Sequence, residues 1–147
     1  DAFGISSVTK DGFENVVSEI KNHLPEWPML FPEDIYTQQS MFFRISEIIR
    51  EKVFLFTKEE LPHSTFVQVE EADDQDDILK IVAYVYTETD SQKYIVIGKN
   101  GSLITKVATA ARKELEEIFD KKVFLTVRAK VRKNWRKDEG FVKKMLG

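Results

Sequence analysis

The run from Ile78 to Glu88 is apolar on both of its alternating sets, Ile78, Val82, Tyr84 and Tyr86 on one and Leu79, Ile81, Ala83 and Val85 on the other. A strand with two apolar faces is buried on both, which places it in the middle of a sheet. Two other segments alternate between apolar and polar residues and read as half-exposed strands. In Thr65–Glu71, Val67 and Val69 oppose Gln68 and Glu70. In Lys122–Val131, Val123, Leu125, Val127, Ala129 and Val131 oppose Arg128 and Lys130, with Arg132 continuing the basic side. The acidic run Glu70–Asp77 reads as a loop, because its charges repel and nothing in it packs. It lacks the spacing and terminal Glu of a calcium loop.

Helical periodicity fills the intervals. Phe13, Val16, Val17, Ile20 and Leu24 form one stripe, with Asp11 and Glu14 placed as a capping box and Pro25 ending the helix. Three prolines in 25–32 mark a stiff linker. A second helix is predicted over Gln38–Phe56, with Phe42, Ile45, Ile49, Val53 and Phe56 inward. A short helix over Ser91–Ile97 precedes a long one over Ser102–Phe119, whose inward residues are Leu103, Val107, Ala111, Leu115 and Ile118. A basic helix over Trp135–Leu146 closes the chain, with Gly140 as its weak point. The fold class is therefore α+β: a three-stranded sheet covered by helices on one face, with an extra C-terminal helix and a detached N-terminal one.

Composition narrows the function classes. The 147 residues contain no cysteine, so disulfides and thiolate metal sites are excluded. No stretch approaches the roughly 18 apolar residues of a membrane span, and the start carries no signal-peptide pattern. A cytoplasmic location is expected. The chain opens on Asp1 rather than Met, as a fragment or processed product does. The net charge of −3 conceals a segregation: residues 1–98 carry 8 Lys and Arg against 19 Asp and Glu, whereas residues 99–147 carry 14 against 6. A basic end on an acidic remainder favours a polyanionic partner at one face. A solvated helix face is the plainer alternative.

The tetrad Gly98-Lys99-Asn100-Gly101 lies between an apolar run and an amphipathic helix. Two glycines three apart allow a tight turn with exposed peptide N–H groups, suited to gripping a phosphodiester backbone. An ordinary surface turn between two helices has the same pattern. The element order around it resembles the type II KH fold, whose GXXG loop clamps about four nucleotides. The resemblance extends to specific sequence. Ser91-Gln92-Lys93, Ile95–Lys99, Ala111–Glu116, Lys121–Leu125 and Lys130–Arg136 resemble the KH domain of the Era family of bacterial ribosome-assembly GTPases. Glu47–Lys52 and Glu59–Ser64 are similar to its entry into that domain, and Pro28–Asp34 to its interdomain connector.

The resemblance implies a division into 1–24, the end of a GTPase domain, 25–37, a linker, and 38–147, a type II KH RNA-binding domain. Ile5-Ser6-Ser7-Val8 is similar to the last guanine-nucleotide motif, with Ser7 in place of the usual Ala. Ser6 and Ser7 are thus remnant nucleotide-binding residues. No GxxxxGK(S/T) loop, switch threonine or Asn-Lys-x-Asp motif is present, and Asn100 stands where a phosphate loop after Gly98-Lys99 needs Ser or Thr. The chain is expected to hold no cofactor and to be no enzyme, GTP and Mg belonging to the full-length family. The detached stripe of Phe13, Val16, Val17 and Ile20 is expected to be exposed, frayed or packed on a neighbour.

The implied partner is single-stranded RNA at the 3′ end of small-subunit ribosomal RNA, with the small subunit itself; the full-length family also reaches the membrane periphery, and no DNA is expected. The residues assigned to RNA are Ile97, Gly98, Lys99, Asn100, Gly101, Ser102, Ile104 and Lys106 at the clamp. Arg128, Lys130, Arg132, Lys133, Trp135 and Arg136 would hold flanking RNA, from the open sheet face and the last helix. Trp135 reads more readily as a core residue than as a base platform. A protein-interaction module docking on a ribosomal protein, with RNA incidental, is the alternative. His63 is a lone loop histidine and no ligand.

Overall fold

The computed structural model describes residues 2–28, 30–32, 37, 39–57, 64–138 and 140–141, and divides into two units, residues 1–38 and 39–147. In the first unit, helix α1 spans Phe13–His23. Its cap is Gly12, in the left-handed region at φ 76°, where a Cβ would lie 2.3 Å from the Gly4 carbonyl oxygen. The expected capping box does not form, because the Asp11 carboxylate accepts the Thr9 hydroxyl at 2.6 Å instead. No residue of α1 is buried, and Phe13, Val17 and Ile20 are exposed, so the apolar stripe is unpartnered among the described residues.

In the second unit, strands β1 (Phe66–Asp74), β2 (Ile78–Thr87) and β3 (Lys122–Val131) form a sheet of order β1-β2-β3. The doubly apolar segment is its central strand, antiparallel to β1 and parallel to β3 in the register Ile78↔Lys122 to Thr87↔Val131. A parallel pair requires a crossover. Here it consists of α3 (Asp90–Ile97), a tight turn over Lys99–Gly101 and α4 (Ser102–Phe119). The remaining helix, α2 (Met41–Phe56), precedes β1.

The acidic run is not all loop. β1 continues through Asp74, with one irregularity between Val69 and Glu71. Neighbouring cations offset the repulsion: Asp73 lies opposite Lys80 in the ladder, and Asp74 pairs with the Lys121 ammonium. Only the hairpin tip remains, where Gln75 and Ile78 exchange two backbone hydrogen bonds.

The core lies between one sheet face and the helices. Ile45, Ile49 and Val53 of α2 meet Leu79, Ile81, Ala83 and Val85 of β2, and Val107, Ala111 and Leu115 of α4. Phe42 and Ile118, expected inward, are exposed. They occupy the first turn of α2 and the last of α4, at the same end of an antiparallel pair in which Lys52 meets Glu114 and Arg44 lies over Phe119. α2 begins at Met41 rather than Gln38, since the Ser40 hydroxyl caps it by accepting the Phe43 N–H at 3.2 Å. Lys52 is buried, and hydrogen bonds to Glu114 and then Glu51 raise its ammonium pKa above the ordinary value.

β3 is followed by a 3₁₀ turn at Trp135–Lys137. Residues 139 and 142–147 of the expected C-terminal helix lie outside the described residues. No helix among the described residues is long and apolar enough to cross a membrane.

Candidate nucleic-acid interface

The glycine turn is positioned by the end of β2. The buried Thr87 hydroxyl donates to the Thr89 carbonyl at 3.1 Å, fixing the exit from the sheet. Thr89 and Gln92 then form a capping box: the Thr89 Oγ1 accepts the Gln92 N–H at 3.2 Å, and the Gln92 Oε1 accepts the Thr89 N–H at 3.1 Å. This moves the start of α3 to Asp90, one residue before the expected Ser91. Val96 alone is buried on α3, so the helix rests on the core by a narrow edge and leaves Tyr94 and Ile95 exposed.

At Gly98 the chain turns with φ 72° and ψ 173°. A Cβ there would lie 2.7 Å from Leu103 Cβ and 2.8 Å from Leu103 N, so glycine is required both by conformation and by the approach of α4. Asn100 is left-handed (φ 53°, ψ 31°), a conformation its short polar side chain tolerates. Gly101 is also left-handed (φ 77°), yet nothing lies within 4 Å of where its Cβ would point. One glycine is needed to close the turn; the other leaves its outer side open to a ligand.

The turn uses part of its own hydrogen-bonding capacity. The Gly101 N–H donates to the Gly98 carbonyl at 3.2 Å, and the Ser102 N–H to the Lys99 carbonyl. Of the four peptide donors from Lys99 to Ser102, those of Lys99 and Asn100 have no partner among the described residues. Both side chains are exposed, and α4 starts at Ser102 with its N-terminal partial charge directed at the turn. Ile97 and Ile104 are half-buried on either side. Lys106 departs from this group: its ammonium lies 4.2 Å from the centre of the Phe56 ring, on the α2 side.

The second set of expected residues lies elsewhere. Alternation along the ladder puts Arg128 and Lys130 on the sheet face opposite the helices, beside Tyr84 and Tyr86 in the register. Lys130 Nζ lies 3.4 Å from the centre of the Tyr84 ring. Arg132 donates to Asp138 at 2.8 Å and covers Phe141, and Arg136 lies 3.6 Å from Glu88. Lys133 is exposed in the turn after β3. Trp135 packs on Phe66, ring centres 5.6 Å apart, within a cluster completed by Tyr86 and Phe141. Its indole nitrogen is buried and has no acceptor among the described residues, so the ring serves packing rather than offering a free platform. Hydrogen bonds from the Phe141 N–H and then from Arg132 hold the Asp138 carboxyl below its ordinary pKa.

Tyr94 and Ile95, which sequence reasoning left unassigned, are exposed on α3 just ahead of the turn. Their signal was present: two large apolar residues on a helix too short to bury more than one edge. In the first unit, the Ser6 N–H donates to the Asp11 carbonyl at 3.1 Å and the Ser6 hydroxyl accepts the Thr9 N–H at 3.1 Å, while Ser7 is exposed. No group of three or more metal-ligating side chains occurs among the described residues.

Residues 60–136 match the KH domain family. GTPase Era of Thermotoga petrophila is 45% identical over 144 residues, covering 97% of this chain and 48% of that protein. Two solved structures are similar at 33% identity. A crystal structure of Aquifex aeolicus Era bound to GDP·AlF4⁻ gives a TM-score of 0.88 over 95% of this chain and 47% of its own. Era in complex with MgGDPNP and nucleotides 1506–1542 of 16S ribosomal RNA gives 0.87 over the same shares. The chain thus spans about half the length of the relatives it matches.

Proposed function

The chain belongs to the KH domain family and matches the C-terminal part of Era GTPases, and from that premise we propose that it binds single-stranded RNA through the turn Gly98–Gly101. The RNA is the 3′ end of small-subunit ribosomal RNA, and the setting is small-subunit assembly in the cytoplasm. An Era bound to 16S ribosomal RNA nucleotides supports the choice of RNA. The observation that carries the clamp is the geometry of the turn: two unpartnered peptide donors, an open side at Gly101 and an exposed Lys99, at the start of an 18-residue helix.

In this reading a phosphate accepts hydrogen bonds from the Lys99 and Asn100 N–H groups. The partial charge of α4 and the Lys99 ammonium favour it further. Bases lie toward Ile97 and Ile104, with Tyr94 and Ile95 of α3 extending the apolar surface. Base identity is read by hydrogen bonds at base edges, while the turn supplies position. Lys106, held over Phe56, contributes to the field rather than to a contact.

Residues 1–24 are the end of a GTP-binding domain, with Ser6 and Ser7 the remnant of its guanine site; 25–37 are a linker and 38–147 the RNA-binding domain. GTP and Mg bind to residues beyond these, and the chain alone neither binds nor hydrolyses GTP. Titration with labelled GTP is expected to show no saturable binding. The decisive test compares a ribosomal 3′-end RNA with a scrambled one, for wild type and for Lys99→Asp/Asn100→Asp. Aspartate tolerates the left-handed conformation of Asn100, so the fold survives and the turn becomes anionic. Wild type should prefer the ribosomal sequence, and the variant should lose more than tenfold in affinity. Equal affinity in all four combinations overturns the reading.

A further inference from the structure

We propose that β3 carries a second RNA-binding surface, on the sheet face away from the helices, that takes single-stranded RNA flanking the clamped segment. This rests on the RNA-binding reading above. Val123, buried in the core, fixes the parity of β3. Every second residue from Lys122 then faces outward: Lys122, Phe124, Thr126, Arg128 and Lys130, all exposed. They form a straight file at intervals of roughly 6.6 Å, twice the rise of a strand residue. The file contains three cations and no acid, and β3 is an edge strand of the sheet among the described residues.

The charges of the file are available. Lys122 and Arg128 have no acidic partner among the described residues, and Lys130 rests on an aromatic ring rather than a carboxylate. At the far edge of the same face, β1 presents Glu71 and Asp73. Asp73 is offset by Lys80, opposite it on β2 and beside Phe124, so the positive charge of the face is concentrated on and next to β3, where a polyanion is drawn. Arg132, committed to Asp138, marks the end of the surface.

Phe124 decides between single-stranded and duplex RNA. It is 61% exposed, the one large apolar side chain of the file. A duplex keeps its bases stacked inside and offers such a ring nothing, whereas an unpaired base stacks on it. An acidic protein segment would use the cations but not the ring.

The test uses the full chain and two single-stranded RNAs. One of about 5 nucleotides is enough for the clamp, which takes about four. The other is about three times as long. Phe124→Ala and the charge-neutral Lys122→Gln/Arg128→Gln should bind the short RNA as wild type does. Phe124→Ala should bind the long one at least about fivefold more weakly, the loss of one stacked base. For the double variant the salt slope on the long RNA should become shallower by about 1.4, two single-strand phosphate contacts at roughly 0.7 each. If both variants bind the long RNA like wild type while Lys99→Asp/Asn100→Asp weakens both RNAs, the β3 surface is overturned and the clamp stands. If the clamp variant is neutral and the β3 variants weaken only the long RNA, the clamp fails and this surface stands. Equal weakening of both RNAs by the β3 variants would mean a general field effect and overturn the separate surface.

Discussion

The glycine turn and the outer face of β3 are two cationic regions built on opposite principles. In the turn, the chemistry belongs to the main chain: Lys99 and Asn100 offer peptide N–H groups, and their placement depends on φ values at Gly98, Asn100 and Gly101. On β3 it belongs to side chains, and the backbone is an ordinary ladder. The turn is therefore sensitive to a single added methyl group at Gly98 and, through the donors and charge it presents, to acidic side chains at its centre. The β3 face should keep its fold through side-chain exchange while losing binding when its charges or the Phe124 ring are removed. This difference teaches where a mutation must strike to affect one surface and spare the other.

Gly98→Ala should have the largest effect. The added Cβ meets Leu103 backbone and side chain at under 3 Å in a positive-φ conformation. We expect a loss of about 2–4 kcal/mol in denaturant unfolding, combining strain and a displaced α4. Short-RNA binding should vanish in conditions where the chain is still folded. Gly101→Ala meets open space at a similar φ, in the left-handed region (ψ 9°) rather than the glycine-only region of Gly98 (ψ 173°), so its cost should be smaller, about 1–2 kcal/mol from conformation alone. Near-equal costs would show that neither the close approach of α4 nor the glycine-only conformation at Gly98 matters.

Glu114→Ala probes the frame of the turn. It removes the first partner of buried Lys52, between α2 and α4, and should cost about 1–3 kcal/mol by leaving a buried ammonium with Glu51 alone. Because the folded pKa of Lys52 is raised, its contribution is complete below the ordinary lysine value and is lost as pH rises through the folded one. Wild type should therefore lose stability in strong alkali, and the variant should lose less. Thr89→Ala removes the cap of α3 and should cost about 1 kcal/mol, read as a shift in unfolding midpoint.

The smallest effect is expected at Asp138, at the end of the β3 face. The lowered pKa of Asp138 means its stabilisation is present above the ordinary carboxylate value and is lost as pH falls through the folded one. Acidification below about pH 4 should release Arg132 and the Phe141 N–H, changing Trp135 fluorescence. Asp138→Asn should flatten that transition without altering short-RNA binding.

Much of this was legible in the sequence because the relevant signals were local. The bounds of α4 and β3 follow from clean periods ended by Gly101 and by a left-handed Asp120. The central place of β2 followed from its two apolar faces. What escaped depended on partners distant in sequence. The acidic half of β1 reads as a loop until Lys80 and Lys121 are brought beside it. Phe42 and Ile118 follow the helical period but lie in terminal turns. At the site, the tetrad was visible, but not that Gly101 and Ser102 spend their N–H groups inside the turn. The division of the expected RNA residues into a clamp group and a flanking group was legible, but the strand register shows which of the flanking ones, Arg128 and Lys130, share a face with Phe124, and that Arg132 is engaged with Asp138.

The parallel pairing of β2 and β3 has a further consequence for the turn. The only path between these strands runs through α3, the glycine turn and α4, so the turn also sets the phase of α4 against the sheet. One residue inserted there would rotate α4 by about 100° and carry Val107, Ala111 and Leu115 off the core. The number of residues in the turn is thus fixed by the hydrophobic layer beneath, independently of what its middle side chains do. Loop length here is a folding constraint before it is a binding one, and natural variation should respect the count even where it discards Lys99 or Asn100.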